Sequence, residues 1–216
     1  LGAPMALQNA IIAVGGMGVQ YVINGFGFVF VAGFTATNKL YGLLEIAATS
    51  FGFAMATFTG QNLGAGQLER IKRGLRASAI IGVLTALCIG GVMAAAGRWI
   101  LALFVSASSA GAPAVLDVAY RYLCVMCAAL SVLYLLYVYR SALQGMGDTV
   151  IPMISGIVEL IMRLSVAWLL PLAIGQDGVY YAEIAAWAGA TALLASAYYV
   201  RIRRLERRNA AGGPLI

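Results

Sequence analysis

Long apolar stretches alternate with short polar breaks along the whole chain. Residues 5–26, 28–59, 77–96, 118–143, 150–174 and 179–200 are almost free of charge, and a helix needs about 20 apolar residues to cross a bilayer. Six membrane-spanning helices are therefore predicted. Breakers fall where turns are needed: at Gly25 and Gly27, Gly60 to Gly66, Ser106 to Pro113, Gly145 to Asp148 and Gly175 to Gly178. The second stretch exceeds what a crossing requires, so it is expected to tilt or to project from the membrane. Arg98 to Phe104 is too short to cross again and reads as an interfacial turn with a snorkelling arginine.

The placement of charge gives an orientation. Arg70, Lys72, Arg73 and Arg76 follow the second stretch, Arg140 lies near the fourth break, and Arg201, Arg203, Arg204, Arg207 and Arg208 follow the sixth. The intervening loops hold only Arg98 and Arg121. The positive-inside rule then puts both ends of this multi-pass chain in the cytoplasm of a cell or plasma membrane, with residues 201–216 as a basic tail.

Composition agrees with the pattern. The chain of 216 residues is 62% hydrophobic and 10% charged, with a mean hydropathy of +0.90, which leaves too little polar surface for a water-soluble domain. The net charge of +6 does not indicate nucleic acid, because the basic residues mark the ends of apolar runs instead of one polar face. Cys124 and Cys127 have no second pair, and the chain has no histidine, so no metal site is expected and the cysteines read as small apolar residues. No nucleophile–base pair or phosphate loop is in view, so the chain is not expected to be an enzyme or to hold a cofactor.

Two blocks carry a resemblance. Val31 to Lys39 followed by Ser50 to Gly66, and Arg140 to Thr149 followed by Pro152, Met153, Glu159 and Arg163, resemble the multidrug and toxic compound extrusion (MATE) family. The resemblance implies an all-α fold: a six-helix membrane bundle, one lobe of a twelve-helix, two-lobe transporter with a cavity between lobes. It also implies a secondary antiporter that exports organic cations or drugs in exchange for Na+ or H+. The chain begins at Leu1 inside an apolar run and is expected to be a fragment carrying the C-terminal lobe. Its partners would be the lipid bilayer, an N-terminal six-helix lobe and small lipophilic or cationic substrates. Some family members carry acids in the first and fourth helices of this lobe. Here the first span offers only Gln8, Asn9, Gln20 and Asn24, and the fourth has only Asp117 at its edge. The coupling site is accordingly expected in the first lobe. The alternative is a flippase of lipid-linked sugar precursors, which would need several cationic residues in the cavity to grip pyrophosphate.

Intramembrane charges are the default functional candidates because they are costly to bury. Glu159 and Arg163 stand four residues apart on one helical face and are expected to neutralise each other. Lys39 and Glu45 lie about 240° apart around a helix, so each needs another partner. Lys39 is expected to snorkel, and Glu45 to lie deeper, at the cavity or a gate. Gln8, Asn24, Asn38, Tyr41 and Tyr137 would complete a cation-tolerant wall. Gly60, Gln61, Asn62, Gly64 and Gly66 form the turn motif, with Gln61 and Asn62 expected to cap the second helix.

Overall fold

In the computed structural model, residues 2–105 and 111–211 are described. Six helices follow one another: α1 (Gly2–Asn24), α2 (Phe28–Gly64), α3 (Leu68–Ala102), α4 (Ala112–Gly145), α5 (Val150–Ile174) and α6 (Tyr181–Ala210). A 3₁₀ turn, Gln176–Tyr180, joins α5 to α6. Five of the six, all but α6, are long and apolar enough to cross a membrane by length and composition.

The number and order of helices agree with the apolar pattern, but several limits differ. Loss of hydrophobicity marks where a helix leaves lipid, and a helix does not stop there. The basic segment Glu69 to Arg76 is the first two turns of α3, and Arg201 to Arg208 continue α6 instead of forming a tail. Arg98 to Ala102, expected as an interfacial turn, is the last turn of α3. Part of the Ser106 to Pro113 break, residues 106–110, lies outside the described residues, as do residues 212–216 of the expected tail.

The expected turn from Gly60 to Gly66 is also shorter than the sequence suggests. Helix α2 continues through Gly64, and only Ala65 to Gln67 leave it. Gly66 has φ +71°, its N–H donates to the Leu63 carbonyl (3.0 Å), and the Gln67 N–H donates to the Asn62 carbonyl (2.8 Å). This is a Schellman ending, which satisfies carbonyls orphaned at the helix end and requires a left-handed residue. The second signature block ends the same way: Gly147 has φ +79°, with Gly147 N–H to Gln144 carbonyl at 2.9 Å and Asp148 N–H to Leu143 carbonyl at 3.0 Å. Asn62 Nδ2 donates back to the Phe58 carbonyl (2.7 Å), which lies within α2 and is not one of its last four carbonyls, and Gln61 contributes only its carbonyl, which accepts from Ala65.

Helix α4 is the hub. It packs against α2, α3 and α6, and Tyr122, Leu123, Leu130, Leu133 and Tyr134 are buried within it. A helix apolar on all sides belongs inside a bundle. Helix α1 is the opposite case, fastened mainly to α5 and barely touching α2. A cleft is therefore left between α1 on one side and α2 and α4 on the other.

The bundle has two unlike ends. One gathers the turns after α2 and α4 and the basic ends of α3 and α6, where Lys72 bridges Glu69 (2.5 Å) and Glu206 (2.7 Å). At the other end Arg98 pairs with Asp117 (2.7 Å) and Arg121 with Asp177 (3.7 Å). The two basic residues at the poor end are thus balanced locally by acids.

Candidate functional site

Two adjoining cavities occupy the α1 cleft and the space behind it. The outer one, about 590 Å³, is lined by residues of α1, α2 and α4, including Gln8, Glu45, Phe53, Tyr137, Arg140 and Gln144. The inner one, about 230 Å³, reaches α5 and α6 and adds Asn38, Tyr41, Glu159, Arg163, Glu183 and Trp187. Glu45, Tyr137 and Arg140 line both, so they stand at the junction.

The ion pairs are not those expected from spacing along one helix. Arg140 of α4 pairs with Glu159 of α5, and Arg163 of α5 pairs with Glu183 of α6 at 2.8 Å. Glu159 and Arg163 thus turn to different helices, a correction to the expected self-neutralising pair. A charge buried in a low-dielectric interior needs a partner in close contact, and here α4 and α6 supply those partners to the two charges of α5. Arg140 Nη2 also donates to Ser155 Oγ (3.5 Å), whose hydroxyl in turn donates to the Pro152 carbonyl (2.7 Å). Arg163 Nη1 donates to the Ile12 carbonyl of α1 at 3.2 Å.

Glu45 stands apart from both pairs. Its Oε1 accepts a hydrogen bond from the Tyr137 hydroxyl at 2.6 Å, and it makes no ion pair among the described residues. The Arg140 guanidinium lies 5.8 Å from the centre of the Tyr137 ring, within cation–π range. Around the inner cavity three carboxylates, Glu45, Glu159 and Glu183, therefore face two guanidinium groups. The lining carries one negative charge in excess when all five are ionised. Tyr41 stacks on Trp187 (centroids 5.7 Å apart), giving an aromatic wall beside that charge.

Other candidates sort by position. Gln8 is buried in the cleft wall and accepts from Gln144 Nε2 at 3.5 Å. Asn38 lines the inner cavity and accepts from the Tyr122 hydroxyl at 3.3 Å. Lys39 is exposed and lines neither cavity. Asn24 is removed from the site: it is exposed at the end of α1 and accepts from Gln20 Nε2 (2.9 Å). Gly60, Gly64 and Gly66 line neither cavity, and Gly60 instead lies where α2 crosses α4. A Cβ on Gly145 would come within 2.5 Å of the Ala56 carbonyl, so glycine is needed at that crossing.

Two site residues escape a reading of the sequence. Arg140 looks like a loop-edge charge because the break at Gly145 follows closely, yet α4 continues past it and buries its side chain. Glu183 falls at the start of the sixth apolar stretch, where water is expected, but the first turn of α6 brings it to the inner cavity and to Arg163. The signal available was charge balance: Arg163 and Arg140 inside apolar segments call for acids, and Glu159 alone is not enough.

Comparison with known proteins places the arrangement. The MatE family model matches residues 4–169. A probable multidrug resistance protein, YpnP, of Bacillus subtilis is 35% identical over 71 residues, covering 33% of this chain and 16% of that protein. A second from the same organism, YoeA, is 26% identical over 93 residues, covering 43% of this chain and 19% of the relative. A MOP superfamily transporter from Pyrococcus furiosus, described as having a binding pocket of reverse polarity, superposes with a TM-score of 0.83 at 16% identity over 94% of this chain and 44% of its own. An outward-facing multidrug resistance MATE family transporter gives 0.81 at 18% identity, over the same shares. The chain spans less than half the length of these solved transporters, and the aligned stretches are smaller fractions of the curated relatives.

Proposed function

We propose, from the premise that the chain belongs to the MatE family, that it forms one six-helix lobe of a two-lobe membrane antiporter exporting lipophilic organic cations. The carrying observation is the cavity chemistry: carboxylates outnumber guanidiniums by three to two beside an aromatic wall of Tyr41, Trp187 and Tyr137. A cation entering such a cavity meets an excess negative charge and π-faces, which tolerate varied shapes because neither demands a fixed hydrogen-bond pattern. The names of the Bacillus relatives, probable multidrug resistance proteins, support the same cargo class.

Glu45 is the carboxylate that meets the cargo. Glu159 and Glu183 are each held by an arginine on another helix, so releasing either would leave a buried unpaired charge, at a cost of several kcal/mol. Glu45 has only a phenol to give up. The coupling ion, Na+ or H+, acts at a site in the other lobe, since the two paired acids here cannot cycle between bound and free states cheaply. The cleft beside α1 is where the second lobe would close the cavity, and rocking between lobes would expose it alternately to each side. The flippase reading is less well supported, because a pyrophosphate would face more acids than bases here.

In the membrane, the basic end lies in the cytoplasm, with the turn at Gln67 and the end of α6 facing the same side. Cysteines placed at Gln67 and Asn209 are expected to resist an impermeant thiol reagent in intact cells and to react after permeabilisation. For transport, the full-length protein would be placed in vesicles under imposed Na+ or pH gradients, and movement of a panel of fluorescent organic cations followed. Gradient-driven accumulation is expected; no movement of any cation under either gradient would overturn the proposal.

A further inference from the structure

A third cavity lies away from the cation site, at the basic end, in a groove between α3, α4 and α6. It holds about 400 Å³ and its wall changes character along its length. At one extreme stand Lys72, Arg73 and Arg76 with the single acid Glu69; at the other, Ala79 and Ile80, with Ile80 56% exposed to the outside. Between them are Tyr139, Tyr198 and Tyr199, of which Tyr139 and Tyr199 approach hydroxyl to hydroxyl at 3.3 Å. Tyr198 is buried, and its hydroxyl has no hydrogen-bond partner in the protein.

The groove sits at one level of the bundle. Helix α3 carries basic residues up to Arg76 and no charge from Ala77 to Gly97, while α6 carries none from Ile184 to Val200 and then turns basic at Arg201. Both helices pass from apolar to basic opposite this groove, and tyrosines at such a level mark the boundary between acyl chains and headgroups. Lys72 is already occupied: its Nζ donates to the Glu206 carboxylate and to that of Glu69, which raises its pKa and neutralises its charge locally. Arg73 and Arg76 make no ion pair among the described residues, so two exposed guanidiniums remain at the mouth.

We propose that this groove binds the phosphate headgroup of an anionic membrane phospholipid, with Arg73 and Arg76 on the phosphate and an acyl chain running past Ala79 and Ile80. A guanidinium offers a planar donor fork matched to phosphate oxygens. A lipid, unlike free phosphate, uses both the basic and the apolar part of the wall. The site is separate from the α1 cleft and does not depend on the cargo proposed above.

The test is native mass spectrometry of the full-length protein in detergent, titrated with phosphatidylglycerol or phosphatidylcholine. Wild type is expected to retain phosphatidylglycerol preferentially. Each basic residue at an anionic surface contributes about fivefold, so R73Q/R76Q is expected to weaken retention ~25-fold. R203Q/R204Q removes the same charge from exposed positions outside the groove and is expected to change retention less than about twofold. A79F fills the apolar part without altering charge and is expected to weaken retention as well, which keeps the test decisive if the double arginine variant folds poorly. Millimolar inorganic phosphate is expected not to displace the lipid. Equal losses in the two double variants, no preference in wild type, no effect of A79F, or displacement by inorganic phosphate would each overturn the proposal.

Discussion

Helices α4 and α1 touch their neighbours in opposite ways, and the contrast separates scaffold from working face. Along the α2–α4 seam, backbone meets backbone near both ends, although Gly52 between them faces the Ser141 side chain: a Cβ on Gly33 would come within 2.8 Å of the Val115 carbonyl, and one on Gly145 within 2.5 Å of the Ala56 carbonyl. Along the α1–α5 seam, Gly18 faces the end of Leu164, Gly15 faces the Arg163 guanidinium, Gly16 faces nothing within 4 Å, and Gly156 meets the Gln8 side chain at 3.1 Å, with the Gln8 carbonyl at an ordinary contact of 3.5 Å. Backbone cannot step aside, whereas side-chain ends can change rotamer. The α2–α4 seam is therefore fixed and the α1 side is deformable, and the cavity lies along the deformable side.

The largest expected effect tests the hub's own ion pair. Glu159→Gln leaves Arg140 buried without its acid and is expected to cost about 3–5 kcal/mol, with much of the loss restored by adding Arg140→Met. Thermal unfolding of the detergent-purified single and double variants reads this. If Arg163→Met rescues instead of Arg140→Met, the pairing described here is wrong. Next, Gly145→Ala is expected to destabilise by about 1–3 kcal/mol through overpacking against Ala56, and a neutral result would show the α2–α4 seam to be as yielding as the α1 seam. Smaller again, Gly16→Ala is expected to be neutral or to stabilise by up to about 1 kcal/mol, since alanine favours helix and meets no obstacle. A clear loss of stability there would place a close neighbour against α1 that the six helices do not supply.

The same contrast explains what could be read from the sequence. Six helices and their turns were legible because apolar length and glycine-rich breaks report directly on crossing a membrane and leaving it. Gly64-Ala65-Gly66 and Gly145-Met146-Gly147 mark two turns of the same geometry, and glycine at the third position of each has the left-handed φ that this ending needs. Glu45, Tyr137 and Tyr41 were legible as cavity candidates, since polar and aromatic groups deep in apolar spans have few other uses. The choice of ion partners was not legible. Spacing along α5 says which residues could meet, but the rotation of α5 between α4 and α6 decides that Glu159 faces Arg140 and Arg163 faces Glu183. That rotation is set by packing across three helices, which no single stretch of sequence encodes.

The central claim is that Glu45, held only by the Tyr137 phenol, serves cargo, while the two arginine-held acids serve the fold. It is tested by comparing Glu45→Gln with wild type in the full-length protein, measuring thermal stability in detergent and cation transport in vesicles on the same preparations. Removing an electrostatic partner of a bound cation costs roughly tenfold or more in transport at limiting substrate, about 1.4 kcal/mol or more. The account predicts that loss with a melting temperature close to wild type. Unchanged transport, or a loss of transport that only follows a collapse in stability, would contradict it.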